Sequence, residues 1–231
     1  MKKVLIKISG QLFDHDGASF NKEFAKSFCT QLVELQKTMQ CGIVIGGGNF
    51  FRGHQHGKQL ELQRVAADTV GMLATMMNGV ILHNFLRNAG IDALLLSAVY
   101  APQVAPIISQ EAIDEALRKN QCIIFAGGTG NPFVSTDTNA IIRALQINAD
   151  QVWKATTVDA VYDADPKKNP TAKAYKHLSY QEVISKQLNV MDGAAIALAQ
   201  EHKIVIRVFD VFAPNALLNA AHDQTIGSTI S

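Results

Sequence analysis

Short apolar runs alternate with longer amphipathic stretches along the whole chain. Apolar runs predict strands at 4–9, 42–48, 91–97, 122–128, 151–156, 159–162 and 204–209. Apolar residues at helical spacing predict helices at 21–39, 61–88, 110–120, 136–147, 179–187 and 192–202, with a final helix and strand after them and an irregular segment at 163–177. Strands that alternate with helices predict an α/β fold, in which a largely parallel central sheet is sandwiched between helices.

Three of the predicted strands end in glycine-containing turns: Ser9-Gly10, Gly46-Gly47-Gly48 and Gly127-Gly128. The carboxyl ends of parallel strands share one edge of a sheet, and ligands bind beyond that edge. Glycine lets the backbone approach a ligand closely, and consecutive amides form a nest for an anion. Three such turns on one edge predict a shared site for a polyanion.

The stretch 126–140, "AGGTGNPFVSTDTNA", is the richest in small and hydroxyl-bearing residues. Its residues Thr129 to Asn131 form a turn, Pro132 fixes φ, and Ser135 and Thr136 lie where the next helix begins. A helix N-terminus with exposed amides and hydroxyls binds anions well. A helix cap would account for one hydroxyl but not for the whole set, so we expect a phosphate-binding loop.

Three charged residues accompany these turns. Lys7 lies inside an apolar strand; a solvated position is one interpretation, but a lysine near the strand end is better explained as reaching a phosphate. Arg52, in "IGGGNFFRG", carries a planar fork suited to phosphate oxygens. Asp137 beside a phosphate would be repelled unless it orients a lysine or a metal, and we predict that supporting role. His54 and His56 have no nearby carboxylates in sequence, so we expect no metal site there.

Two further motifs have both an ordinary and a functional interpretation. Arg64 and Asp68 share one helical face with Gly71, Thr75 and Asn78. Arg64 and Asp68 either form a surface pair or, as we favour, Asp68 accepts hydrogen bonds from a sugar while the small residues of this face admit a partner subunit. In "KATTVDAVYDADP" (154–166), Tyr162 either makes an ordinary packing contact or lies against a planar base. In the second case Thr156 and Asp165 would hydrogen-bond to the edge of the base or to the ribose, and Lys154 would bind phosphate.

Composition limits the partners and the cellular compartment that we expect for the chain. The chain has 231 residues and a formal net charge of +1, so it can bury a large core and carries no general attraction for nucleic acid or an anionic membrane. Its three cysteines are widely spaced, which indicates core thiols in a reducing compartment. The first apolar stretch is too short for a signal peptide, and no run approaches the ~18 apolar residues of a membrane span. We expect a cytoplasmic protein.

Taken together, "IGGGNFFRG", "GMLATMMNG", "GTGNPFVSTD", "KATTVDAVYDADP" and "VMDGAA" make the chain resemble the bacterial-type uridylate kinases of the amino acid kinase superfamily, from Lys3 to about Ile230. The resemblance implies a Mg²⁺-requiring transfer of phosphate from ATP to UMP, giving UDP. It also implies a cytoplasmic homohexamer built as a trimer of dimers, activated by GTP and inhibited by UTP. The single domain would have two lobes, about 1–150 for acceptor binding and dimerisation and about 151–231 for the ATP nucleoside.

The resemblance also assigns individual residues. The ATP phosphates would contact Lys7, Ile8, Ser9, Gly10, Gly48 and Arg52, and the ATP nucleoside would contact Thr156, Tyr162 and Asp165. UMP would contact Gly47, Asp68, Thr129, Gly130, Asn131, Pro132, Phe133, Val134, Ser135 and Thr136. The catalytic residues would be Lys7, Arg52 and Asp137. Mg²⁺ would be held mainly through the phosphates, without dedicated side-chain ligands, and the effector region would fall in "FDHDGAS" after Gln11.

Two positions depart from the family pattern. Gln11 replaces the usual Glu, which alters the charge balance near Lys7, and Ala160 replaces the usual Gly, which predicts a turn without positive φ. Neither removes a phosphate ligand, so activity is expected. Two other functions remain open: a kinase of the same superfamily acting on a carboxylate or carbamate, and a storage or regulatory protein that binds nucleotide without turnover.

Overall fold

The structure is a computed structural model that describes residues 1–13, 20–166, 168–223 and 225–231, without the side chain of His54. Its strands are β1 Lys2–Ile8, β2 Met39–Ile45, β3 Ala93–Ser97, β4 Cys122–Ala126, β5 Gln151–Thr156, β6 Val161–Tyr162, β7 Ala174–Tyr175, β8 His177–Leu178, β9 Val205–Asp210 and β10 Ser228–Ile230. Its helices are α1 Lys22–Leu35, α2 Gly53–Gln59, α3 Arg64–Asn88, α4 Gln110–Arg118, α5 Thr136–Gln146, α6 Tyr180–Ser185, α7 Gly193–His202 and α8 Ala216–His222. A short 3-10 turn, Gly10–Phe13, follows β1.

One eight-stranded sheet organises the fold, in the order β3-β4-β2-β1-β5-β9-β10-β8. The pairings from β3 across to β9 are parallel, and β10 pairs antiparallel with β9. Strand β1 lies between β2 and β5, while β6 and β7 form a separate antiparallel pair. The predicted α/β architecture with a largely parallel sheet is confirmed.

Each face of the sheet has its own apolar core because alternate strand residues point to opposite sides. On one face, Ile6 of β1 belongs to a core with residues of α1, α3 and α8, such as Phe28, Leu82 and Leu217. On the other face, Leu5 belongs to a core with residues of α4, α5, α6 and α7, such as Ile141. Both faces of the sheet are therefore covered by helices. The ends of the strands are where a ligand can reach the sheet.

Two segments differ from the predicted elements. The helix predicted at 61–88 begins at Arg64, and a separate helix, α2, precedes it. The break lies at Glu61, whose φ of 53° is left-handed and ends helical geometry. The segment 163–177, predicted as irregular, contains β7, which pairs with β6 through two residues. Elements this short carry too little periodicity to be detected in sequence.

Helix α3 also departs from the expectation that no segment is apolar enough to span a membrane. Its 18-residue window has a mean hydropathy of 1.5, so length and composition alone permit a span. In the fold, Leu82 and Leu86 of this helix are fully buried, and the helix packs against β3 and β4. That packing is typical of a core helix.

Candidate active site

The first two glycine turns are in contact at one edge of the sheet. They follow β1 and β2, which are parallel neighbours, and the amide of Gly46 donates to the carbonyl of Ile8 at 2.9 Å. A Cβ atom at Gly10 would lie 2.5 Å from the backbone nitrogen of Gly48. Such a distance is far below van der Waals contact, so the two turns can approach this closely because Gly10 has no side chain.

The third turn, after β4, is tied to the same region through helix α3. The amide of Gly127, whose φ is 76°, donates to Oγ1 of Thr75 at 2.8 Å. A Cβ atom at Gly47 would lie 2.9 Å from the backbone nitrogen of Thr75. Helix α3 thus lies against the turns after both β2 and β4. All three turns lie at one edge, as the sequence predicts.

Asp137 bridges two lysines at this edge. Its Oδ1 lies 2.8 Å from Nζ of Lys7, and its Oδ2 accepts a hydrogen bond from Nζ of Lys154 at 2.9 Å. Lys7 and Lys154 are paired residues of the neighbouring strands β1 and β5, so their like charges lie side by side and Asp137 offsets one of them. Lys7 is only 7% exposed, which rules out the solvated interpretation.

Burial and charge act in opposite directions on this cluster. Burial favours a raised pKa for Asp137, but Lys7 and Lys154 outweigh it and hold the pKa of the carboxyl below its usual value. Burial lowers the pKa of Lys154, an effect that Asp137 opposes; its Nζ also donates to the carbonyl of Val190. With the carboxylate ionised, two ammonium groups and one carboxylate leave a net positive charge where an anion would bind.

The hydroxyl of Ser135 is the N-cap of α5. It accepts hydrogen bonds from the amides of Asp137 at 3.0 Å and Thr138 at 3.1 Å, and it donates to the carboxylate of Asp192. Asp192 also accepts from Oγ1 of Thr138 at 2.8 Å and caps α7 through the amide of Ala195 at 3.1 Å. Asp192 therefore joins the starts of two helices. Sequence reasoning gave it no role, although an Asp before a run of small helical residues is an N-cap signature.

Asp68 joins α3 to the loop at 129–136. Its carboxylate accepts from Nε of Arg64 at 2.8 Å and from the amide of Phe133 at 2.7 Å. The predicted surface pair therefore exists, and the same carboxylate also holds the loop. Phe133 is 65% exposed and has a left-handed φ of 68°, and the Arg64 guanidinium lies 5.5 Å from its ring centroid. Within the loop, the amide of Asn131 donates to Oγ1 of Thr129 at 3.2 Å.

Arg52 lies at the start of α2, just beyond the β2 turn. Its Nε donates to the carbonyl of Gly48 at 3.1 Å, so the guanidinium lies beside the glycines. Gln11 also reaches this turn, since its Cγ would lie 3.4 Å from a Cβ at Gly48. The charge of Lys7, which the Gln11 departure left in question, is offset by Asp137.

A cavity of about 430 Å³ opens beside Lys154. Its lining includes the three residues predicted to hold a nucleoside, Thr156, Tyr162 and Asp165. It also includes Lys186 and the segment 187–190, which sequence reasoning missed. The hydroxyl of Tyr162 donates to Oδ1 of Asp159 at 2.7 Å, and Ala160 has no positive φ, as predicted.

The side chains at this edge offer few ligands for a metal ion. Among the described residues, no group of three or more His, Cys, Asp and Glu side chains could hold a metal ion. Both oxygens of Asp137 are already engaged by lysines. These residues fit a divalent ion that takes its ligands from phosphates and water.

A family model described as "Amino acid kinase family" matches residues 2–210. The chain belongs to the amino acid kinase family. Two curated relatives of this chain are named uridylate kinase. The protein from Haemophilus influenzae (strain PittEE) is 42% identical over 99% of this chain and 97% of its own length, and that from Francisella tularensis subsp. holarctica (strain FTNF002-00 / FTA) is 40% identical over 100% and 94%.

Solved structures agree with this assignment. The UMP kinase from Ureaplasma parvum superposes with a TM-score of 0.95 at 34% identity, covering 100% of this chain and 98% of the other chain. The UMP kinase from Bacillus anthracis gives the same TM-score at 32% identity, covering 100% and 96%. The resemblance inferred from the motifs is confirmed.

Proposed function

We propose that the protein transfers the γ-phosphoryl group of ATP to UMP and forms UDP. The observation that carries the proposal is the bridge from Lys7 through Asp137 to Lys154, at the edge where three glycine turns meet. This bridge lies between a cavity of about 430 Å³, which is suited to a nucleoside, and the loop at 129–136, which is rich in hydroxyls and amides. Full-length similarity to proteins named uridylate kinase supports UMP as the acceptor.

ATP would extend from the cavity toward the glycine turns. Thr156, Tyr162 and Asp165 line the cavity and would hold the nucleoside. Lys154 lines the same cavity and bonds to Asp137, so the phosphates would leave the cavity along it. They would then reach the segment Lys7, Ile8, Ser9 and Gly10, together with Gly48 and Arg52.

UMP would occupy the opposite side of the turns, against α3 and the start of α5. Asp68 would accept hydrogen bonds from the ribose, because a carboxylate has lone pairs beyond those used by Arg64 and Phe133. Gly47 and the residues Thr129 to Thr136 would line the remainder of this site, and the exposed ring of Phe133 would pack near the base. The start of α5 would lie near the UMP phosphate, because the positive end of a helix favours an anion.

The reaction needs charge neutralisation more than proton transfer. An oxygen of the UMP phosphate attacks the γ-phosphorus of ATP, and a new P–O bond forms as the bond to the β–γ bridging oxygen breaks and ADP leaves. A phosphate monoester is largely ionised near neutral pH, so no general base is required. Lys7 and Arg52 stabilise the charge on the transferred group, and Asp137 orients the lysines. When bound, Mg²⁺ would supply further charge neutralisation.

Assembly and regulation are also part of the proposal. The predicted contact through the small residues of α3 is wrong, because Thr75 and Asn78 are buried against the glycine turns. The helix instead leaves Val65, Leu73, Met77 and Val80 exposed, an apolar stripe suited to a second copy of the chain. We place this contact within a cytoplasmic homohexamer, a trimer of dimers, activated by GTP and inhibited by UTP. The lobes would divide near residue 150, with dimerisation in the first. Of the proposed effector segment 13–19, residues 14–19 lie outside the described part of the chain.

One coupled assay tests the activity. ATP and Mg²⁺ are supplied with UMP, CMP, AMP, GMP, glutamate or aspartate, each with and without GTP. UDP formation from UMP is expected, and Lys7→Met should lower turnover by about two orders of magnitude, roughly 3 kcal/mol. A folded Lys7→Met protein with near-normal turnover would contradict the role of Lys7. Phosphorylation of an amino acid, or tight ATP binding with no product, would instead support one of the two other functions.

A further inference from the structure

Helix α2 holds Arg52 through one of its own side chains. Arg52 is the N-cap of α2, with extended backbone angles (φ −102°, ψ 99°), and its side chain does not cap the helix. Its amide instead donates to Nδ1 of His56 at 3.2 Å, and its carbonyl accepts from the amide of His56 at 2.8 Å. Arg52 and His56 are therefore joined by two hydrogen bonds in opposite directions.

The imidazole of His56 also fixes the preceding residue. The rings of Phe51 and His56 meet edge to face, with centroids 5.5 Å apart. At the far end of the Arg52 side chain, Nε donates to the carbonyl of Gly48. Arg52 is thus anchored at its backbone by His56 and at its guanidinium by the glycine turn, so its position depends on both contacts.

Helix α2 has a low helix propensity of its own. The helix has seven residues, two of which are glycines, and helices this short are not stable alone. Gly57 packs on α3, where a Cβ would lie 3.0 Å from Cβ of Ala67, but that contact lies beyond the first turn. The hydrogen bond from the Arg52 amide to Nδ1 of His56 therefore stabilises a helix start whose own helix propensity is low.

We propose that His56 is a positioning residue for Arg52, acting through Nδ1, and that it thereby sets how well the β2 turn binds nucleotide phosphate. An Nδ1 that accepts a hydrogen bond carries no proton, so the geometry assigns the neutral ring with its proton on Nε2. The inference rests on the proposed phosphate-binding role of Arg52. It gives a function to a histidine that the sequence alone marks as incidental.

Asparagine and leucine at position 56 form a matched pair. The His56→Asn variant would place an amide oxygen on Cγ, where histidine carries Nδ1, whereas leucine has nearly the shape of asparagine and no acceptor. Both lose the aromatic contact with Phe51. His56→Asn should therefore keep kcat/KM for ATP within about threefold of wild type, and His56→Leu should lower it about tenfold, the effect of one hydrogen bond.

A double variant separates positioning from general damage to the fold. Because His56 acts through Arg52, His56→Leu should have no further effect on kcat/KM in an Arg52→Ala background. Equal losses in His56→Asn and His56→Leu, or additive losses in the double variant, would overturn the proposal. Circular dichroism and thermal midpoints establish that each variant is folded.

Binding of ATP, measured by calorimetry with Mg²⁺ present, keeps this test independent of turnover. The same order is expected: wild type and His56→Asn alike, His56→Leu weaker by about tenfold. If wild type binds ATP but forms no UDP, the proposed function fails while the role of His56 is still decided by these affinities. Identical ATP affinities in all three proteins, together with identical kcat/KM, would refute the positioning role.

Discussion

The side-chain amides of Asn49 and Asn78 are paired head to head. Nδ2 of Asn49 donates to Oδ1 of Asn78 at 3.0 Å, and Nδ2 of Asn78 donates to Oδ1 of Asn49 at 2.7 Å. Asn78 is fully buried on α3 and also donates to the carbonyl of Gly46 at 2.7 Å. A single side chain of α3 therefore pins both ends of the β2 turn.

Replacing Asn78 by leucine should disturb this turn without changing the size of the side chain. The carbonyl of Gly46 would lose its side-chain donor inside the protein, which should cost about 1–3 kcal/mol of unfolding free energy. Turnover should fall as well, because Gly47 and Gly48 lie in the same turn. Urea denaturation and the coupled assay measure the two effects. The control is Gln200→Leu on the exposed face of α7, away from the proposed contact between copies, and it should change stability by less than about 0.5 kcal/mol. Equal losses in both variants would contradict the role of the pair.

Gly47 and Gly48 should respond differently to the same added methyl group. A Cβ on Gly47 would lie 2.8 Å from Cβ of Ala74 and 2.9 Å from the carbonyl oxygen of Gly71, so α3 would have to shift. A Cβ on Gly48 would meet Cγ of Gln11 at 3.4 Å, which is ordinary contact. We expect Gly47→Ala to destabilise the protein by roughly 1–3 kcal/mol.

Gly48→Ala, in contrast, should leave the thermal midpoint nearly unchanged and raise KM for ATP, because the methyl group would face the phosphates. Differential scanning fluorimetry and initial rates distinguish the two variants. The proposed placement of ATP would be wrong if Gly48→Ala left both KM values unaltered.

Asp137→Asn should affect both stability and catalysis. The neutral side chain would leave Lys7 and Lys154 adjacent and uncompensated, and breaking a buried pair costs roughly 3–5 kcal/mol. Since the two lysines lower the pKa of Asp137, its contribution to stability is present above the unfolded value near pH 4 and is lost as pH falls further. Wild type should therefore lose more stability between neutral pH and pH 3 than Asp137→Asn does.

The matched control removes an ion pair at the surface. Oε1 of Glu115 on α4 lies 2.6 Å from Nζ of Lys119, the residue that follows this helix, and both side chains are about half exposed. Glu115→Gln should change the urea midpoint very little, since exposed pairs contribute about 0–1 kcal/mol. A comparable loss in the two variants would mean that the buried bridge has no special importance.

The sequence predicted those features of the protein that depend on periodicity or on residue type alone. The strands and long helices follow from apolar spacing, and the common edge of the glycine turns follows from parallel pairing. The pairing of Asp137 with lysines also follows from residue type, because a carboxylate beside an anion site needs cationic partners. Its supporting role in catalysis stays a prediction. Contacts across the fold were not predictable: the link from Asp192 to Ser135 spans 57 residues, and that from Asp68 to Phe133 spans 65. Helix α2 was missed since its glycines and polar residues give no apolar period.

The three cysteines give a prediction about stability at high pH. All are free and buried, and burial raises the pKa of Cys29 and of Cys41 to about 12 and that of Cys122 well above its usual value. The native protein should react with no thiol reagent at pH 8, whereas the urea-unfolded chain should react at all three positions. The thiols favour the folded state fully below the unfolded pKa near 9, and this stabilisation is lost as pH rises toward 12. Between those values the unfolded chain releases protons that the folded chain retains, so each thiol should lower the unfolding free energy by roughly 1.4 kcal/mol per pH unit.

A cysteine-to-alanine variant isolates this effect from the titration of lysine and tyrosine. Cys41→Ala should be less stable than wild type at pH 8 because it removes a buried sulfur, but its stability should fall less steeply between about pH 9 and pH 11. Urea midpoints at several pH values give both slopes. Parallel slopes in the two proteins would show that the thiol at position 41 ionises as readily in the folded chain as in the unfolded one, contrary to its burial in strand β2.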